Sequence, residues 1–197
     1  MSLVEILITI TAVFGVIGGV YAFWGWMRRT VFAPRLRLTY DQARTGDIAR
    51  DFLSKTKFVF YHVQATNGSR TMIRRAHAYV LDAQKIDTDG RLVPWTDFRS
   101  KLPLPWANSG GRLDIELFSN ESARIDFLTL PVDQEFLAFS TPQGPSGTAI
   151  AIPEGVYVFH VVCTAENAKM GELHIKVDFS DSKTRPKIER YVEKTVP

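Results

Sequence analysis

The sequence predicts an all-β chain, an antiparallel β-sandwich preceded by one N-terminal transmembrane helix. Three observations predict it. Residues 6–26 carry no charged side chain. After Pro34, short runs of alternating apolar and polar residues recur between Gly, Pro, Asn and Asp turn signals. No later segment holds a sustained helical period. The chain of 197 residues is long enough for one ordinary domain.

The anchor comes first. Ile6 to Trp26 spans 21 residues. That is roughly 31 Å of helix, against a hydrocarbon core of about 30 Å. A cleaved leader would need a basic start, a shorter apolar core and a small-residue cleavage site. Here the start is Met-Ser-Leu-Val-Glu, and the run ends in Tyr21, Phe23, Trp24 and Trp26. Such rings belong at the headgroup level. Tyr21, Trp24, Trp26, Arg28 and Arg29 are therefore candidate membrane-interface residues, and the segment reads as an anchor that is retained. Arg28, Arg29, Arg35 and Arg37 follow the span, whereas Glu5 precedes it. The positive-inside rule then places the N-terminus outside and the C-terminal domain in the cytoplasm. The expectation is a single-pass protein of the inner (plasma) membrane. Thr11, Gly15 and Gly19 share one face of the span at small-residue spacing. They are candidate helix-packing residues for a homo-oligomer, although glycine is common in membrane helices generally.

Phe32-Ala-Pro34 stops any continuing helix. Arg35 to Tyr40 alternates like a strand. Asp41 to Thr56 is polar, with room for a short helix at residues 48–53. The next segment is the strongest local signal. Two β-rich runs meet at Asn67-Gly68, the preferred pair for a type I′ hairpin turn. A hairpin centred there pairs Phe60 with Arg75 and Phe58 with His77. The first of these runs is apolar on both faces, as a central strand should be. A turn follows at Thr88-Asp-Gly90, then a long connection with Pro94-Trp95 and Pro105-Trp106, ending in Asn108-Ser-Gly-Gly111. Strands are expected at residues 113–117, 124–130 and 135–140. The Gly/Pro/Ser-rich run of residues 141–148 is a loop. Residues 155–163 and 172–179 form a final hairpin, with Leu173, Ile175, Val177 and Phe179 facing the core. The division expected is 1–29 transmembrane anchor with its basic flank, 30–56 juxtamembrane linker and first strand, 57–182 sandwich, and 183–197 charged tail.

The chemistry to be expected is sparse. Basic and acidic residues nearly balance outside the anchor, so there is no electrostatic case for nucleic acid. Cys163 is the only cysteine, which excludes an internal disulfide and a cysteine-based zinc site. No phosphate-binding glycine loop and no nucleophile elbow is present. His160 and His174 are expected on the solvent face of the last hairpin, offset diagonally, with Lys176 directly beside His160. Two imidazoles are too few ligands for a metal. No catalytic, cofactor-binding or metal residue is assigned, no cofactor is expected, and enzymatic activity is not. Trp95 and Trp106 are candidate partner-binding residues. The competing reading has them covering the ends of the sheets, because large aromatics bury their area.

The runs VQATNGSRT, SNESARIDFLTL and PEGVYVFHVVCTAENAKMGELHIKVDF together resemble the immunoglobulin-like sandwich modules of small, uncharacterised, membrane-anchored bacterial proteins. The resemblance covers residues 57–180 and implies a fold rather than an activity. It carries over no functional residue, and the paired cysteines of antibody domains are not matched. The expected role is non-enzymatic binding or scaffolding at the inner membrane surface, with the lipid bilayer and an unidentified protein or small ligand as partners. The alternative is a sandwich that senses a ligand and couples it to oligomerisation of the span.

Overall fold

The computed structural model describes residues 15–27, 33–40, 47–50, 57–98, 101–132, 136–142, 150–181 and 185–192. The chain divides into two compact units, Met1–Ala33 and Pro34–Pro197. In the first, residues 15–27 form helix α1, with Val16, Val20, Tyr21, Phe23, Trp24 and Trp26 exposed along it. Among the described residues, no helix is long and apolar enough to cross a membrane. The expected span starts at Ile6, and its residues 6–14 lie outside the described residues, as do Arg28 and Arg29.

The second unit is a mostly β structure of two antiparallel sheets. Its strands are β1 (Leu36–Thr39), β2 (Asp47–Arg50), β3 (Lys57–Asn67), β4 (Ile73–Ile86), β5 (Leu92–Pro94), β6 (Leu102–Leu104), β7 (Asp114–Leu117), β8 (Ser122–Pro131), β9 (Leu137–Phe139), β10 (Ala151–Ile152), β11 (Gly155–Ala165), β12 (Ala168–Phe179) and β13 (Lys187–Arg190). Sheet I runs β1-β3-β8-β9-β10, with β2 also on β3. Sheet II runs β13-β12-β11-β4-β5, with β6 and β7 also on β4.

Two long strands act as spines. One edge of β3 lies along β8, and its other edge is shared by β2 at Lys57–Phe60 and β1 at Gln64–Asn67. This is why β3 is apolar on both faces. One edge of β4 lies along β11, and the other is shared by β5, β6 and β7 in turn. In β12, Leu173, Ile175, Val177 and Phe179 are buried while Glu172 and His174 are exposed, the alternation of a sheet with one dry face. The two sheets share one core. Its centre is aromatic, with Phe139 and Phe159 rings 5.2 Å apart and Trp95 and Tyr157 rings 5.1 Å apart.

Several expectations are corrected. Asn67-Gly68 does not close a hairpin. β3 pairs within sheet I and β4 within sheet II, so Phe60 faces Thr129 rather than Arg75, and Phe58 faces Pro131 rather than His77. A type I′ turn needs positive φ at both central residues, and neither Asn67 nor Gly68 has it. Asn67 instead spends its side chain inside the corner. Its Nδ2 donates to the carbonyls of Thr71 (2.8 Å), Leu117 (3.1 Å) and Phe118 (3.0 Å), and its Oδ1 accepts from Ser69 N and Oγ. Residues 48–50 of the short helix expected at 48–53 belong instead to β2, whose backbone finds partners on β3, and residues 51–53 lie outside the described residues. The tail contributes β13, which pairs with β12. β1, β2 and β13 thus belong to the compact unit that the sequence confined to residues 57–182. The final hairpin turns at Glu166-Asn167, tighter than expected, and a bulge between Cys163 and Ala165 resets its register. His160 therefore faces His174 directly, and Lys176 faces Val158.

The chain enters the sandwich as a clasp. β1 hydrogen-bonds β3 in sheet I, while Lys169 N of β12 donates to Pro34 O at 2.7 Å. Gly171 lets them meet, because a Cβ there would sit 2.6 Å from Leu36 O.

Candidate functional site

A cleft of about 290 Å³ opens on sheet I. Val59, Tyr61 and Val63 of β3 join the shared core, so Phe58, Phe60 and His62 alternate to the opposite face. Their rings form a ladder, with centroids 6.5 Å and 6.3 Å apart. Phe60, Asp126 and Thr129 line the cleft from β3 and β8. Pro105, Trp106, Asn108, Gly110 and Gly111 line it on one side, and Ser140, Thr141 and Pro142 on the other.

The first side is built by backbone pairing. Asp126 N donates to Pro105 O and Ala107 N to Arg124 O, so residues 105–107 lie along the edge of β8. The chain then turns back through Asn108, Gly110 and Gly111, all at positive φ. Trp106 N donates to Arg112 O and closes the turn. Gly111, at φ +84°, presses against the second side, and a Cβ there would meet Pro142 O at 2.1 Å. The contact is backbone on backbone and cannot be relieved by a rotamer. Gly111→Ala is expected to destabilise the fold by about 2–4 kcal/mol, through the clash and the left-handed φ together. A thermal melt within error of the wild type would show that the two sides are not in contact.

The polar groups of the cleft are unusual in how they are satisfied. Ser140 is 4% exposed, and its Oγ has no hydrogen-bond partner among the described residues. A buried hydroxyl left in that state costs about 1–3 kcal/mol. Thr129 is 3% exposed, with Oγ1 at 3.5 Å from Ala138 O, the outer limit for a hydrogen bond. Asp126 Oδ1 lies 2.8 Å from Nδ1 of the buried His62. Among the described residues, Asp126 is the only charged one that lines the cleft. Ser140, His62 and Asp126 do not form a hydrolytic triad, because Ser140 Oγ makes no hydrogen bond to the imidazole.

A second cavity of about 340 Å³ lies on sheet II, against His77, Tyr79, Lys101, Pro103 and Leu113. Of its titratable side chains, His77 and Lys101 are solvent-exposed and Tyr79 is half-buried. Among the described residues that line it, none is a buried polar side chain.

The residues singled out in the sequence fall elsewhere. Trp95 is 8% and Trp106 1% exposed, so neither presents a partner-binding surface, and both belong to the core. Trp106 does line the cleft, but as a wall. Its indole N–H donates to Ala76 O at 3.1 Å and Leu113 O at 3.3 Å. Gly15 and Gly19 lie on α1, and among the described residues nothing comes within 4 Å of where a Cβ would sit. Tyr21, Trp24 and Trp26 are more than half exposed on the same helix. Thr11, Arg28 and Arg29 lie outside the described residues.

His160 and His174 stack with centroids 4.2 Å apart and planes at 15°, and His160 Nε2 lies 3.3 Å from Glu172 Oε2. Stacked imidazoles direct their lone pairs along parallel planes and do not converge on one ion. Among the described residues, no three His, Cys, Asp or Glu side chains are grouped to hold a metal.

No family model matches this chain, and no curated protein matches it. Among solved structures it is similar to the ASH/PapD-like domain of human CEP192 (PapD-like domain 7). The identity is 13%, the TM-score 0.30, and the match covers 73% of this chain and 82% of that one. At that score the likeness says nothing about what this chain binds.

Cys163 is fully buried, and burial pushes its thiol up from 9.0 to about 12. Burial likewise pushes the Tyr61 hydroxyl up from 10.0 to about 12, with Arg185 opposing. Both groups hold their protons in the fold above the pH at which the unfolded chain releases them. Their contribution is therefore complete below about pH 9 and is lost as pH rises towards 12. Urea midpoints should stay level to about pH 9 and then fall, and Cys163 should resist alkylation until the chain unfolds. A midpoint unchanged to pH 12 would contradict this.

Proposed function

We propose that the chain is a membrane-tethered, non-enzymatic binding module. An immunoglobulin-like sandwich is held at the inner membrane surface by the apolar segment 6–26, with the N-terminus outside. The sandwich takes a small ligand in the cleft on sheet I. The tether rests on the sequence, namely the uncharged run, the aromatic residues that end it and the arginines that follow. The observation that carries the binding role is Ser140. A buried hydroxyl without a partner among the described residues, in a cleft of small-molecule size that a partly buried carboxylate also lines, is what a ligand would satisfy.

The test uses the full chain in lipid nanodiscs. Small polar compounds of each charge type are screened by ligand-observed NMR against the wild type and Ser140→Ala. Compounds that bind saturably and weaken in the variant support the reading. A screen in which none distinguishes the two proteins overturns it. Reporters fused at Pro197 test the orientation, with activity expected from the cytoplasmic reporter only.

A further inference from the structure

We infer that the ligand of the sheet I cleft is a small cation bearing hydrogen-bond donors, an ammonium or guanidinium group. The inference rests on the binding role proposed above and adds the chemical class. Among the described residues, the single formal charge lining the cleft is the Asp126 carboxylate, and no Lys or Arg lines it. The neighbouring arginines of the chain, Arg112 and Arg124, are exposed and outside the lining. Nδ1 of the buried His62 lies 2.8 Å from Oδ1.

The other polar groups agree in kind. The Ser140 hydroxyl is buried, unpartnered and able to accept from a donor. Thr129 is held only at the limit of its bond to Ala138, so it can accept as well. Phe60 lies on the floor, and an aromatic face attracts a cation within about 6 Å of its centroid. An anion has one feature in its favour. Asn108, Gly110 and Gly111 are at positive φ, where turns can point N–H groups at a negative charge. It would also lie beside Asp126, which is 18% exposed, and like charges at that range repel. The carboxylate decides between them, because a charge-assisted bond is roughly twice as strong as a neutral one.

The experiment titrates the full chain in nanodiscs with methylguanidinium, its neutral analogue N-methylurea, and acetate. The wild type, Asp126→Asn and Ser140→Ala are compared, each with a thermal melt. Methylguanidinium is expected to bind at least about tenfold more tightly than N-methylurea, with Asp126→Asn bringing the two together and Ser140→Ala weakening both. If Asp126→Asn does not fold, the cation-to-neutral ratio on the wild type and the Ser140→Ala effect decide the matter. N-methylurea or acetate binding as well as the cation, with sensitivity to Ser140→Ala, would overturn the charge assignment and leave the binding role standing. Cation binding indifferent to both substitutions would place it elsewhere and overturn the inference. No binding by any probe would count against both.

Discussion

Trp106→Ala should cost about 3–5 kcal/mol, the range for deleting a buried large aromatic. At roughly 2–4 °C per kcal/mol for a domain of this size, the melting temperature should fall by about 6–20 °C. The side chain is 1% exposed. Its backbone bridges Ile125 in sheet I, while its indole donates to Ala76 O on β4 of sheet II. One residue thus ties the two sheets at the end where the cleft opens. Trp106→Phe keeps most of the packing and removes the donor, so it should cost about 1–3 kcal/mol. Thermal melts of the full chain in micelles would measure both. Equal losses for the two variants would show that the hydrogen bonds, not the ring, hold the position. An alanine variant as stable as the wild type would remove Trp106 from the core.

Asn67→Asp should be nearly as damaging, although it changes one group of similar size. The side chain is fully buried, with its amide pointed at three carbonyl oxygens. A carboxylate there places negative charge against three acceptors and leaves them without a donor. About 3–5 kcal/mol is expected at pH 7, the range for an uncompensated buried charge. Protonation restores a donor, so stability should recover as the pH falls below the raised pKa of the new carboxyl. Asn67→Ala should cost about 2–4 kcal/mol and show no such recovery. Urea denaturation of both variants at pH 7 and pH 5 separates the mechanisms. An Asp variant that is indifferent to pH would mean that the corner opens to water.

The sandwich was legible where period and burial agree. Leu173, Ile175, Val177 and Phe179 alternate in the sequence and in the fold, and Cys163 packs inward among apolar neighbours. Local signals failed where tertiary partners outbid them. Asn67-Gly68 has the composition of a tight hairpin, but its amide is worth more bridging two distant strands. The tail looked merely charged because β13 is short and three of its four residues are exposed. The diagonal placement of the histidines failed on the tighter turn and the bulge together, which put His174 rather than Lys176 opposite His160, a shift of two residues.

The cleft was the least legible part. Its residues come from β3, β8 and two loops, and none forms a motif. Asp126 was readable only as a lone acid within an apolar run, and Ser140 as the first hydroxyl after Leu-Ala-Phe. That Ser140 lacks a partner is a property of the packed structure alone.

The corner at Asn67 also acts as a clock. Asn-Gly is the dipeptide most prone to spontaneous deamidation, because the glycine nitrogen can reach the side-chain carbonyl without steric obstruction. In the folded chain that carbonyl accepts two hydrogen bonds from Ser69 and the amide is held by three acceptors, so ring closure is restrained. In the unfolded chain nothing restrains it. Mass spectrometry of peptides from aged samples should find residue 67 converted mainly in protein kept unfolded. The conversion yields, in part, the aspartate variant described above. A molecule that lingers unfolded would therefore lose the means to return, and the age of the polypeptide would be written into its capacity to refold.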